Sequence, residues 1–110
     1  MLAEKTPNAR CIIRISGKDN RSFLQGLITN DIHKIDHGLV YAALLSAQGK
    51  FQYDFFLFAD GEDVMMDIDQ EMAAALQKKL MLYRLRADVH FQETALGVAR
   101  GLLVSNREHV

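Results

Sequence analysis

Three strand-like runs punctuated by two turn signals constrain this chain more than any other feature. Val40 to Leu45 and Phe51 to Ala59 are separated by Ser46-Ala47-Gln48-Gly49-Lys50, whose length and glycine suit a β-hairpin. Asp60-Gly61-Glu62-Asp63 then marks a second turn before a strand from about Val64 to Ile68. Consecutive strands joined by tight turns pair antiparallel, so a three-stranded meander is predicted. On the strand from Phe51, alternation puts Gln52, Asp54, Phe56 and Phe58 on one face and Phe51, Tyr53, Phe55, Leu57 and Ala59 on the other.

The flanking segments must supply a partner layer for that sheet. Cys11 to Ile15 reads as a β-branched strand stopping at Ser16-Gly17. Ser16 stands at capping-box spacing from Asp19, and Phe23, Leu24, Leu27 and Ile28 recur on one helical face, with Thr29-Asn30-Asp31 ending the helix. A loop is predicted from there to the turn at Asp36-His37-Gly38. Asp67 or Asp69 can cap a second helix running to about Tyr83, with Met72, Leu76, Leu80 and Tyr83 as its apolar stripe. Ala87 to Thr94 alternates apolar and polar residues as a half-buried strand does, and Leu96 to Val104 is a further candidate strand. The order predicts an α+β domain, a mainly antiparallel sheet with two flanking helices.

A chain of 110 residues is expected to hold one core. Hydrophobic residues at 49 % and charged residues at 25 % describe a chain that folds, not a disordered one. Thirteen Lys plus Arg against fourteen Asp plus Glu leave a net charge of -1, so no global field draws the protein to nucleic acid or to an acidic membrane. Neither is expected as a partner. Cys11 has no second cysteine to bond and begins an apolar run, which reads as a small buried hydrophobe in a reducing compartment. With no signal-peptide pattern at Met1 to Asn8 and no window long enough to span a membrane, cytoplasm is the expected location.

Asp54 is the most informative candidate for chemistry. Both faces of its strand are largely apolar, so the strand is expected to be central and the carboxylate to need a donor, a cation or a proton. A group so placed suits acid or base work, although a purely structural hydrogen bond serves equally. Lys78, Lys79, Arg84 and Arg86 gather near a helix C-terminus, where the dipole favours cations; with Tyr83 beside them they also form a candidate anion-receiving patch. His33 and His37 are four apart, but Gly38 and the adjacent turn residues argue against a helix there, so solvated loop histidines are expected and no metal site.

Three stretches together resemble a known family. They are Ser16-Gly17-Lys18-Asp19-Asn20-Arg21-Ser22-Phe23-Leu24-Gln25-Gly26-Leu27-Ile28-Thr29-Asn30-Asp31, then Ala43 to Leu57 with Gln48-Gly49-Lys50 and Tyr53-Asp54, then Lys79-Leu80-Met81-Leu82-Tyr83-Arg84-Leu85-Arg86-Ala87-Asp88-Val89. Their order and spacing are similar to the N-terminal region of YgfZ-type proteins, in the superfamily of the glycine cleavage T-protein, an aminomethyltransferase. The resemblance covers about Cys11 to Val89.

That resemblance implies the N-terminal folate-binding domain of the T-protein fold, with residues 1–110 as a fragment of a longer chain. It implies tetrahydrofolate as cofactor, with Asp54 near the pterin as the catalytic candidate and Asp54, Tyr83, Arg84 and Arg86 as the cofactor-binding set. In the transferase the hairpin strand carries paired aspartates, and here the first position is Tyr53. YgfZ-type proteins support the making or repair of iron–sulfur enzymes, including one that modifies tRNA, so iron–sulfur enzymes or assembly proteins are the implied partners. Their Lys-Gly-Cys and Gly-Gln-Glu motif is absent from these residues, and Cys11 does not replace it. Two alternatives stand beside this reading: an aminomethyltransferase of the glycine cleavage system, and a non-catalytic interaction module.

Overall fold

The structure, a computed structural model, describes residues 9–94. Its strands are β1 (Arg10–Ser16), β2 (Val40–Leu45), β3 (Phe51–Asp60), β4 (Asp63–Asp69) and β5 (His90–Thr94), and its helices are α1 (Asn20–Gln25) and α2 (Gln70–Arg84). The strands form one antiparallel sheet in the order β2-β3-β4-β1-β5. The predicted meander is β2-β3-β4, and the α+β architecture is as the sequence implies.

Register sorts the side chains into two layers. Cys11, Ile13 and Ile15 oppose Ile68, Met66 and Val64, and Leu57 opposes both Met66 and Val40. This face is the core, closed by Leu24 of α1, by Ile32 and Ile35, by Ala73, Leu76 and Leu80 of α2, and by Val89. The other face carries Ile12, Arg14, Tyr41, Asp54, Phe56, Phe58, Met65 and Asp67. Three ion pairs cross its strands: Arg10 Nε lies 2.9 Å from Asp67, and the Arg14 guanidinium forks onto Asp63 at 2.7 Å and Asp60 at 3.0 Å.

Three local expectations are corrected. The capping box does not form at α1; the Asp19 carboxylate instead accepts from the Asp88 amide at 2.8 Å, and the helix ends at Gln25. Beyond it the chain turns onto the sheet edge, where the Thr29 amide donates to the Ala43 carbonyl at 3.0 Å. The segment read as a loop contains a 3₁₀ helix, Ile32–His37, started by Asp31 accepting from the His33 amide. Ile32 and Ile35 are buried at the three-residue spacing that this helix places on one side. On α2, Asp69 is the cap, accepting from the Glu71 amide at 2.9 Å, but the buried stripe is Ala73, Leu76 and Leu80. Met72 and Tyr83 are each 44 % exposed. The small Ala73 lets the helix lie close to the sheet, which rotates those larger side chains outward.

Asn20 joins the loops at one end of the sheet. Its buried Nδ2 donates to the carbonyls of Ile15 and Glu62, both at 3.0 Å, tying the β1–α1 connection to the β3–β4 turn. Asn20→Ala leaves two carbonyls without that donor, so a loss of about 1–3 kcal/mol is expected. An unchanged urea midpoint would refute the linkage. The candidate strand from Leu96 to Val104 lies outside the described residues.

Candidate functional site

β3 outruns β4. Only Phe56 to Asp60 pair with β4, whereas β2 follows β3 back to Phe51, so Asp54 has a strand neighbour on one side only. Its side chain is therefore exposed, on the face opposite α2, and the expectation of a desolvated carboxylate is corrected. A register shift between Leu44 and Leu45 sets Asp54 opposite Ala43 and Phe56 opposite Tyr41.

That shift places Tyr41 diagonally across from Asp54 on the same face, a distance an aromatic side chain spans. The Tyr41 hydroxyl donates to Asp54 Oδ2 at 2.6 Å, a short bond of the kind expected for a hydroxyl meeting a carboxylate. The Tyr41 ring leans on Phe56 with centroids 5.3 Å apart, which fixes its direction. The hydrogen bond to Asp54 holds the Tyr41 phenol above its ordinary ionisation range. The chain has three tyrosines, so spectrophotometric titration should show one ionising late, and Asp54→Asn should bring that step down. Three coincident steps in the unsubstituted protein would contradict the bond.

The pair offers a carboxylate acceptor, a phenol and an aromatic surface. Such a group can accept hydrogen bonds from N–H groups of a flat ring and receive or return a proton at Asp54.

The other predicted site residues lie elsewhere. Tyr83 and Arg84 end the last turn of α2 and Arg86 lies just beyond it; the helix covers the face opposite Asp54, so the sheet separates the two groups. Lys79 Nζ stands 6.0 Å from the Tyr83 ring centroid, and Arg84 Nη1 donates to the Val89 carbonyl at 3.1 Å, bracing the connection into β5. Arg86 is exposed. The Cys11 thiol is buried and pushed up to about 11 by burial and by Glu93 beside it, so it stays protonated and unreactive. His33 and His37 are both exposed on the 3₁₀ helix.

Comparison with known proteins follows the same lines. No protein-family model matches the sequence. An iron–sulfur cluster assembly factor IBA57 homolog, mitochondrial, from Pyricularia oryzae is 32 % identical over 88 residues, covering 76 % of this chain and 23 % of that protein. The human iron–sulfur cluster assembly factor IBA57, mitochondrial, is 30 % identical over 96 residues, covering 74 % of this chain and 27 % of that protein. The chain thus spans about a quarter of the length of these relatives. The crystal structure of glycine cleavage system aminomethyltransferase T from Bartonella henselae superposes with a TM-score of 0.71 at 17 % identity, over 80 % of this chain and 25 % of that one, and shows the shared fold.

The expected cytoplasmic location is overturned by these relatives, which are mitochondrial proteins. A lone buried cysteine and an unremarkable N-terminal composition do not distinguish one reducing compartment from another. With about 30 % identity to IBA57 proteins across most of its length and the aminomethyltransferase T architecture, the chain belongs to the YgfZ-type family of the glycine cleavage T-protein superfamily and fits the N-terminal part of that fold.

Proposed function

We propose that this chain supplies one wall of a tetrahydrofolate site in a protein that supports iron–sulfur cluster assembly or repair. The single observation that carries the folate reading is the Tyr41–Asp54 pair, a carboxylate and a phenol bonded at 2.6 Å on an open, aromatic sheet face. A reduced pterin presents N–H donors along one edge, and an exposed carboxylate held in place by a neighbouring hydroxyl is a matched acceptor for them. Asp54 is the binding residue in this reading and the proton carrier if a one-carbon unit is moved. The iron–sulfur role follows from the names of the relatives, which are assembly factors. Support of a cluster enzyme that modifies tRNA is its extension through the YgfZ-type resemblance.

The test is calorimetric titration with 5-formyltetrahydrofolate. Asp54→Asn keeps the shape but removes the charge, and the affinity is expected to fall by about tenfold to a hundredfold, the range for a hydrogen bond to a charged group. Tyr41→Phe, which frees the carboxylate to rotate, should fall by less. Equal affinity in the unsubstituted chain and Asp54→Asn would sink the assignment.

A further inference from the structure

Helix α2 is apolar on two sides. Ala73, Leu76 and Leu80 close the core, whereas Ala74, Ala75, Lys78, Met81 and Leu82 share an arc about 120° wide on the side turned away from the sheet, and all are exposed. Leu85 follows just past the last turn. Met81 is 51 % exposed, Leu82 73 % and Leu85 84 %, where a helix with one buried face ordinarily turns polar side chains to water. Ala74, Lys78, Met81 and Leu85 recur at intervals of four, three and four, the spacing by which one helix packs along another. At a rise of about 1.5 Å per residue the stripe is about 16 Å long, room for some three turns of a facing helix.

Charge decides what kind of helix fits. From Met72 to Ala87 the chain carries Lys78, Lys79, Arg84 and Arg86 and neither Asp nor Glu. Arg84 is turned onto the Val89 carbonyl and Lys79 stands beside the Tyr83 ring, while Lys78 and Arg86 meet no carboxylate among the described residues. Lys78 lies inside the apolar stripe, so a partner that covers it must bring an anion to it. We propose that this face of α2 docks an amphipathic helix of a partner protein, whose apolar stripe meets Met81, Leu82 and Leu85 and whose carboxylates meet Lys78 and Arg86. A second copy fits badly, because antiparallel pairing about the middle of the stripe brings together Lys78 and Lys79 of both copies. A membrane surface fits no better: a helix lying on lipid keeps its cations on the face opposite its apolar one, and Lys78 interrupts the apolar face itself. The stripe and the Tyr41–Asp54 pair are on opposite sides of the sheet, so docking leaves that pair open and is independent of the folate reading.

Fluorescence anisotropy with labelled three-heptad peptides tests the proposal on the 110-residue chain. One peptide has Leu at the a and d positions and Glu or Gln elsewhere, a second has Lys in place of each Glu, and a third is the acidic peptide with its residues scrambled. The acidic peptide is expected to bind about tenfold or more tightly than either of the others. Leu82→Ser with Leu85→Ser should weaken it by about tenfold, and Lys78→Glu with Arg86→Glu should reverse the preference towards the basic peptide, with thermal midpoints confirming that both variants fold. No binding of the acidic peptide, equal affinity for the acidic and basic peptides, or an affinity that survives the leucine double variant would overturn the docking face. Sedimentation velocity should show a monomer; a dimer that the leucine variant dissolves would give the face to a second copy and overturn the acidic partner. Co-sedimentation with phosphatidylserine vesicles that the same variant abolishes would give it to lipid, with the same result.

Discussion

Gly17→Ala is expected to lower stability by about 3–5 kcal/mol, a large share of the 5–15 kcal/mol typical of a domain. Gly17 has φ +106°, a conformation that strains any residue with a side chain. The added Cβ would also overlap the Asp88 carbonyl oxygen, 2.7 Å from the carbonyl carbon and 2.9 Å from the Cα of Val89. All of these are backbone atoms, and they are tied down. The Asp19 amide donates to the Asp88 carbonyl at 3.1 Å, the Asp88 amide to the Asp19 carboxylate at 2.8 Å, and the Lys18 amide to the Asp88 carboxylate at 3.2 Å. Relief of the clash therefore breaks the clasp that joins the start of α1 to the approach of β5. Urea denaturation reads the effect directly, and a midpoint within experimental error of the parent would refute it.

Phe55→Ala should be comparably severe. Phe55 is among the largest fully buried side chains; it lies opposite Ala42 on β2 and in the core that α2 and the 3₁₀ helix close. Truncation to Ala removes a ring whose site can collapse only by shifting the sheet, and comparable changes cost about 3–5 kcal/mol. Its neighbour Asp54 points to the opposite face, so loosening this stretch of β3 would also loosen the carboxylate's geometry. Phe55→Leu, which fills more of the space, is expected to lose less than half as much. Equal midpoints for the Ala and Leu variants would contradict a packing origin.

What the sequence conveyed, and what it hid, divides by the range of the interactions involved. The meander was legible because Gly49 and Gly61 sit in turns whose neighbours alternate in polarity, signals carried within a few residues. A cap at Asp67 or Asp69 was legible for the same reason, and the structure selects Asp69. The Tyr41–Asp54 pair was not. Counting back from the pairing of Leu45 with Phe51 without a shift sets Asp54 opposite Ala42 and sends Tyr41 to the other face; the irregularity next to Leu45 moves the pairing by one and brings the two together. No residue in the loop announces that irregularity. The exposure of Asp54 was equally hidden, because it depends on β4 being shorter than β3 at that end. The rotation of α2 towards Ala73 is set by the sheet beneath it, and the role of Asn20 by two loops that lie far apart in sequence. The Leu85 backbone, at φ +49°, has no local signal at all; the structure shows it and we have no physical account of it.

The strand order has a consequence for synthesis. β1 is made first, yet its two neighbours in the sheet are β4 and β5. On a translating ribosome β2, β3 and β4 can zip together through short-range hairpins as they emerge, while the N-terminal strand waits for partners encoded some fifty and eighty residues later, as its pairings of Ile12 with Asp67 and with Thr94 show. For that interval Ile12, Ile13 and Ile15 are bare, and a nascent chain is most open there to chaperone capture or to mispairing with another copy.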